Sequence, residues 1–342
     1  MIKKRAVCLA IVLTLLVILL YFATLLLIPK HMGESRDGAL IGEYYGEIDR
    51  GMSHEVLFVG DCEVYECFIP AILWEKYGIT GYVRGSPQQL IWQSYYLLEE
   101  MLSLEKPKVV VFNVLAMKYG EPQNEAYNRL TLDGMKMSQS KLYSIKASMT
   151  KEEKLVSYIF PLLRYHSRWK ELSLEDFKYI FKRDKISHNG YLLRREVKGV
   201  TNKFEGSPLP DYTLPEICFE YINKMNALCK SRGAELVLVK APTNSWKYWW
   251  YDEWDKQICD YADKEKIDYY NFIGNEEIGI DWSQDTYDGG VHLNVWGAEK
   301  MTAYFGRILA ENYGIESQKG NEKLADAWED KLNLYYEERD NG

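Results

Sequence analysis

The residues with chemistry to offer stand at four widely separated places in this 342-residue chain. Gly60-Asp61-Cys62 supplies a thiol, and Asp288-Gly289-Gly290-Val291-His292-Leu293-Asn294 supplies an imidazole with a carboxylate four positions ahead of it. An imidazole can take the proton of a thiol, and a carboxylate on its far side fixes the ring's tautomer, which together make a nucleophile. Arg84-Gly85-Ser86 offers a backbone N–H at a glycine turn and Asn113 offers a side-chain amide, the donors that a developing oxyanion requires. Each residue also has a plainer reading. Gly-Asp-Cys can be a turn, Asn113 can cap the next segment, a loop histidine can be structural, and Cys62 can be a small buried hydrophobe. What joins them is placement, because each follows or precedes a regular element.

Those elements must bring positions 62 and 292 together. Glu55-Val56-Leu57-Phe58-Val59-Gly60 is an apolar run stopped by glycine, which predicts a buried strand. Thr80-Gly81-Tyr82-Val83, Val109-Val110-Val111-Phe112, Glu235-Leu236-Val237-Leu238-Val239 and residues 267–272 predict four more. The run at 109–112 is almost unbroken, as suits a parallel strand covered on both faces. Helical spacing is present at 69–77, 88–104, 214–230, 251–264 and 298–313. Alternating strands and helices predict a doubly wound α/β sheet with parallel strands. In such sheets ligands bind beyond the carboxyl ends of the strands, where Cys62, Gly85 and Asn113 fall. Residues 117–210 interrupt the alternation; they are charged and aromatic, with helices expected at 151–165 and 174–182, and read as an insertion over the sheet's edge. The α/β domain then spans 54–315. Polar residues 31–53 read as a tether, and charged residues 316–342 as a solvated helical tail.

From Ala6 to Ile28 run 23 residues without a charge, enough to cross a hydrocarbon core of roughly 30 Å. Lys3, Lys4 and Arg5 precede them, so residues 1–30 read as a cytoplasmic N-terminus and single-pass anchor with the rest outside. A cleaved signal peptide is the competing reading, but it has a shorter apolar region and a small-x-small end. Here the run ends Leu26-Leu27-Ile28-Pro29-Lys30. Subtracting the four basic residues of this segment from 42 leaves 38 against 50 acidic, a balance that excludes a nucleic-acid partner. Cys218 and Cys229 are eleven helical residues apart, about 16 Å, too far for a disulfide. Trp246, Trp249, Trp250 and Trp254 crowd one segment; exposed they could stack on sugars or sit at a membrane interface, and packing on the sheet is the favoured alternative. No zinc-ligand spacing, phosphate loop or dinucleotide fingerprint is present, so the sequence calls for no metal and no cofactor.

The run His292-Leu293-Asn294-Val295-Trp296-Gly297-Ala298-Glu299-Lys300 is similar to the His-Leu-Asn-x-x-Gly-Ala-x-Lys run of membrane-anchored SGNH (GDSL) hydrolases. Gly60-Asp61-Cys62 resembles that family's Gly-Asp-Ser block, Gly85 its second-block glycine, Asn113 its third-block asparagine, and Asp288 with His292 its final block. The resemblance implies the three-layer α/β/α fold and acyl-ester chemistry, with Cys62, His292 and Asp288 catalytic and Asp61, Gly85 and Asn113 on the oxyanion and substrate side. Three positions depart from the pattern. Cysteine replaces serine, and Asn113 comes early after its strand. The acid lies four residues ahead of the histidine instead of three, which leaves Asp285 as an alternative. A thiolate remains a good nucleophile, and a thioester open to a bound alcohol suits acyl transfer. The resemblance extends to the DltD-like, acyl-transfer-associated branch. It therefore implies O-acyl transfer to or from a cell-envelope polysaccharide or teichoic-acid-like polymer, beside a membrane-bound O-acyltransferase partner. A glycan O-deacetylase, and an inactive module that binds polymer, are the alternatives.

Overall fold

The computed structural model describes residues 2–28, 39–181, 188–201, 206–244 and 250–341. Five strands form one sheet: β1 Val56–Gly60, β2 Gly81–Gly85, β3 Val109–Asn113, β4 Glu235–Lys240 and β5 Asp268–Asn271. Their order is β2-β1-β3-β4-β5 and every neighbouring pair is parallel. The chain steps outward from β1 to β2 and then returns past β1 to β3, so its direction reverses at β1, and the crevice at such a reversal is where these sheets hold ligands.

Alternate residues of each strand enter opposite cores. Leu57, Val59, Val110, Phe112, Leu236 and Leu238 face one layer, which includes helices Ile91–Leu104 and Glu216–Arg232. Val56, Phe58, Val109, Val111, Val237 and Val239 face the other, built on helices Pro70–Tyr77 and Val295–Asn312. Burial on both faces explains why these strands are apolar without alternation. Cys218 and Cys229 lie fully buried in the first layer, and Trp250 packs there with Trp254 at 5.4 Å between rings. Trp246 and Trp249 lie outside the described residues.

Three segments differ from their sequence reading. Within residues 31–53, of which 31–38 lie outside the described residues, helices Ala39–Gly42 and Tyr44–Asp49 are part of the domain. Tyr44 and Tyr45 are buried there, donate to Glu105 at 2.5 Å and Glu100 at 2.7 Å, and lie against the Arg84 guanidinium. The tail is helical over Glu322–Asn341 but not simply solvated, because Trp328 is buried and stacks on Trp74, and Tyr335 is buried too. In the insertion, Pro161 divides the expected helix at 151–165 into Leu155–Ile159 and Leu162–Tyr165, and helices Glu125–Leu132 and Gln139–Ser148 precede them. Gln139–Ser148 packs on Ile91–Leu104, so this part of the insertion thickens a layer.

The N-terminal helix Ile2–Leu27 is long and apolar enough to cross a membrane, a property shared by signal anchors and signal peptides.

Candidate active site

β1 ends at Gly60, and Asp61 turns the chain into the short helix Cys62–Tyr65 by accepting the Glu63 N–H at 3.2 Å. Cys62 is thereby the first residue of a helix, where backbone N–H groups have no partner within the helix. Gly85 is the residue paired with Gly60 across the sheet. A Cβ there would lie 2.8 Å from Val64 Cγ2, 3.0 Å from the Gly60 carbonyl and 3.2 Å from that of Asp61, so only glycine admits this approach to the cysteine's turn.

His292 comes from the loop before helix Val295–Asn312. Asn294 caps that helix by accepting the Gly297 N–H, while its amide donates to the Gln284 carbonyl at 2.6 Å and to that of Glu196. These bonds fix the backbone two residues beyond the histidine. The Asp285 carbonyl would lie 2.5 Å from a Cβ at position 297, which accounts for the glycine.

The loop and the turn meet across 230 residues. His292 Nε2 is 3.1 Å from Cys62 Sγ, and His292 Nδ1 is 2.7 Å from Asp288 Oδ2. Asp288 Oδ1 accepts the N–H groups of Val291 and His292 at 3.1 and 3.0 Å, so the four-residue spacing closes a loop that aims the carboxylate at the ring. Asp285, the alternative acid, accepts from Lys300 Nζ at 2.5 Å and from the Asp281 N–H at 2.7 Å.

Asn113 is turned inward. Its carbonyl oxygen accepts the Leu115 N–H at 2.8 Å, capping the 3-10 turn Val114–Lys118, and its amide donates to Glu63 Oε2 at 2.9 Å. Glu63 Oε1 accepts in turn from Lys240 Nζ at 2.6 Å, an ion pair fully enclosed beneath the turn. Asp61 is also buried, and burial, with the Glu63 charge adding to it, pushes its carboxyl up to about 7.

Sequence reasoning missed a second carboxylate near the histidine. Glu66 Oε2 lies 3.9 Å from His292 Nδ1 and accepts from the Tyr287 hydroxyl at 3.0 Å. The Tyr287 ring stacks beside the imidazole and faces the Arg194 guanidinium at 5.2 Å. Arg194 belongs to the insertion's last segment. That segment bonds to the Tyr65 carbonyl through the Leu192 N–H, and it takes the Val295 N–H on the Arg194 carbonyl, both at 2.7 Å. It straps the two halves of the site together. Position 66 lies four residues after the cysteine in a turn of helix, the one local signal that it could share the site.

The electrostatics set the resting protons. Cys62 keeps some exposure at its surface but its thiol is densely surrounded, and burial pushes it up to about 12 against the pull of the His292 charge. For His292, burial works against the imidazolium, yet Cys62, the Asp288 bond and Glu66 outweigh it and hold the ring well above the usual imidazole range. Burial also works against the Asp288 carboxylate, and its bonds to His292 overcome that to keep it below the ordinary carboxylate range. The imidazolium is favoured by charge on the Cys62 sulfur and by the Asp288 carboxylate, so the sulfur and the ring hold their protons as one pair.

Among solved structures, the chain is similar to a protein assigned to the lipolytic G-D-S-L family from Desulfitobacterium hafniense DCB-2. The two share 14% identity with a TM-score of 0.35, over 74% of this chain and 98% of that one. It is also similar to a GDSL-like lipase from Bacteroides thetaiotaomicron VPI-5482, at 13% identity and a TM-score of 0.35, over 80% of this chain and 98% of that one. No protein-family model matches the sequence, and no curated protein matches it.

Proposed function

We propose that the chain is a membrane-anchored, extracytoplasmic SGNH-like enzyme that moves O-acyl groups to or from a cell-envelope polysaccharide or teichoic-acid-like polymer. The observation that carries this reading is the Cys62–His292–Asp288 relay, closed at 3.1 and 2.7 Å at the carboxyl end of β1.

The chemistry follows from the groups present. Neutral His292 takes the thiol proton at Nε2 while Asp288 holds Nδ1–H, and the sulfur bonds to the ester carbonyl carbon. The resulting oxyanion faces the N–H groups of Cys62 and Gly85, donors of a kind worth about 2.7–4 kcal/mol each. Asn113, expected as a third donor, spends an amide hydrogen on Glu63. When the tetrahedral species collapses, the C–O bond breaks and the imidazolium protonates the departing alcohol, leaving a thioester on Cys62. An incoming sugar hydroxyl then attacks the thioester, gives its proton to His292, and expels the sulfur, which recovers that proton. Water in place of the sugar gives hydrolysis, the deacetylase outcome.

The reading includes the anchor, with Lys3, Lys4 and Arg5 inside, and a membrane-bound O-acyltransferase as the partner that would supply acyl groups. The test is the amount of alkali-labile acyl ester on envelope polymer in cells whose only copy is a variant. Cys62→Ala is expected to abolish the acylation that depends on this gene while the protein stays folded. Unchanged acylation with Cys62→Ala would remove the covalent route, and the fold would then serve as a polymer-binding module.

A further inference from the structure

The N-terminal helix is not a free stalk. Its residues from Lys3 to Phe22 are exposed, whereas Ala23 to Ile28 are half-buried against the insertion. Three insertion elements touch it: helix Leu162–Tyr165, the 3-10 turn His166–Lys170 and helix Leu174–Phe181. Arg168 Nη1 donates to the carbonyls of Leu27 and Ile28 at 3.3 and 3.1 Å, groups that a helix C-terminus leaves without helical partners. Its Nη2 donates to Asp176 Oδ1 at 2.9 Å, and Asp176 is itself buried and accepts from the Ser173 backbone and hydroxyl. One guanidinium therefore ties the end of the apolar helix to helix Leu174–Phe181.

The same stretch exposes Phe160, Leu163, Trp169, Leu174 and Phe177, each between 48 and 79%. Surface hydrophobes normally occur singly, and a cluster marks a covered face. These five lie in, or directly before, the elements that touch the end of a 25-residue apolar helix. Twenty residues at 1.5 Å each already span roughly 30 Å of hydrocarbon, so a helix crossing the bilayer brings its Leu27 end to the lipid headgroups. Tryptophan and basic side chains are enriched at that depth, and here Lys170 lies beside the Trp169 ring at 5.6 Å.

We infer that the insertion face carrying Phe160, Leu163, Trp169, Leu174 and Phe177 is seated in the headgroup region of the membrane crossed by the N-terminal helix. This rests on the helix being retained as an anchor. The seat gives the catalytic domain one fixed orientation to the bilayer, where a bare stalk would leave it free to swing.

The test uses the full chain in pure-lipid vesicles, with tryptophan emission read for the unaltered protein and for Trp169→Phe so that their difference isolates Trp169. Lipids brominated high on the acyl chain are expected to remove most of the Trp169 emission, and aqueous iodide to remove little. Iodide quenching without lipid quenching, in a chain that stays in the membrane at alkaline pH, would overturn the seat alone. No other protein is present in such vesicles, so that outcome would give the patch to a protein partner. A purified chain whose intact mass lacks residues 1–28 would overturn the anchor and the seat together.

Discussion

Lys240→Met tests the charged network beneath the cysteine's turn. Lys240 and Glu63 pair at 2.6 Å with side-chain exposures of 0 and 2%, so neither charge has bulk water to fall back on. Methionine keeps the chain length and removes the cation that is bonded to the buried Glu63 carboxylate. Breaking one side of such a pair costs about 3–5 kcal/mol. At roughly 2–4 °C per kcal/mol for a domain of this size, the loss corresponds to a fall in Tm of roughly 6–20 °C. Thermal unfolding of the detergent-solubilised chain, followed by circular dichroism, reads this directly. Adding Glu63→Gln removes the other charge at nearly constant volume, and the double variant is expected to regain most of what Lys240→Met lost. A coupling of about 2 kcal/mol or more between the two positions is the quantitative expectation. Stability within about 1 kcal/mol of the starting protein for Lys240→Met, or strict additivity in the double variant, would refute the reasoning.

Gly85→Ala places a methyl group 2.8 Å from Val64 and near two carbonyls of the cysteine's turn, and overpacking of that kind costs about 1–3 kcal/mol; urea unfolding checks it. Asp288→Asn is expected to shift the pH profile of Cys62 alkylation because its carboxylate meets His292. Asp285→Asn should leave that profile alone and lower stability instead, since Asp285 serves Lys300 and the Asp281 N–H. For Asp61, burial favours the protonated form in the folded state, so its contribution to stability is fully present below its unfolded pKa of about 3.9 and is lost as pH rises through about 7. Asp61→Asn keeps a residue type that caps helices and is expected to flatten the decline of the urea midpoint between pH 4 and 7; an unchanged slope would show that Asp61 does not cause it.

The central strands were legible because Val56–Gly60, Val109–Asn113 and Glu235–Lys240 each contain an apolar run ended by glycine or a polar residue, and burial on both faces leaves no other reading for Val109-Val110-Val111-Phe112. The cysteine, histidine and carboxylate were legible by type and by their places at strand and helix ends, although Asp288 and Asp285 could be separated only by three-dimensional geometry. The bond from Asn113 to Glu63 was hidden, because the carboxylate and its cation come from positions 63 and 240 with no local pattern to connect them. Arg194 was missed for the same reason, and Glu66 because its place four residues after Cys62 in a turn of helix is its one local signal. Residues 31–53 read as a tether on their overall polarity, yet Tyr44 and Tyr45 within them find Glu105, Glu100 and Arg84 as partners, so their hydroxyls are satisfied on burial. The tail was misjudged through its charge count. Of the eight apolar or aromatic side chains in its helix, Trp328 and Tyr335 are the ones it buries.

The most direct test of the site is the rate of iodoacetamide alkylation at Cys62 across pH, with and without His292→Ala, using mass spectrometry to resolve each cysteine. The buried thiol and the raised imidazolium predict a rate that climbs along a limb governed by His292, well ahead of buried Cys218 and Cys229. Removing the imidazole takes away the charge and the bond that pull the Cys62 thiol down, and should therefore move that limb to higher pH and slow labelling at neutral pH. A Cys62 that labels no faster than Cys218, or whose pH profile is the same without His292, would contradict the account.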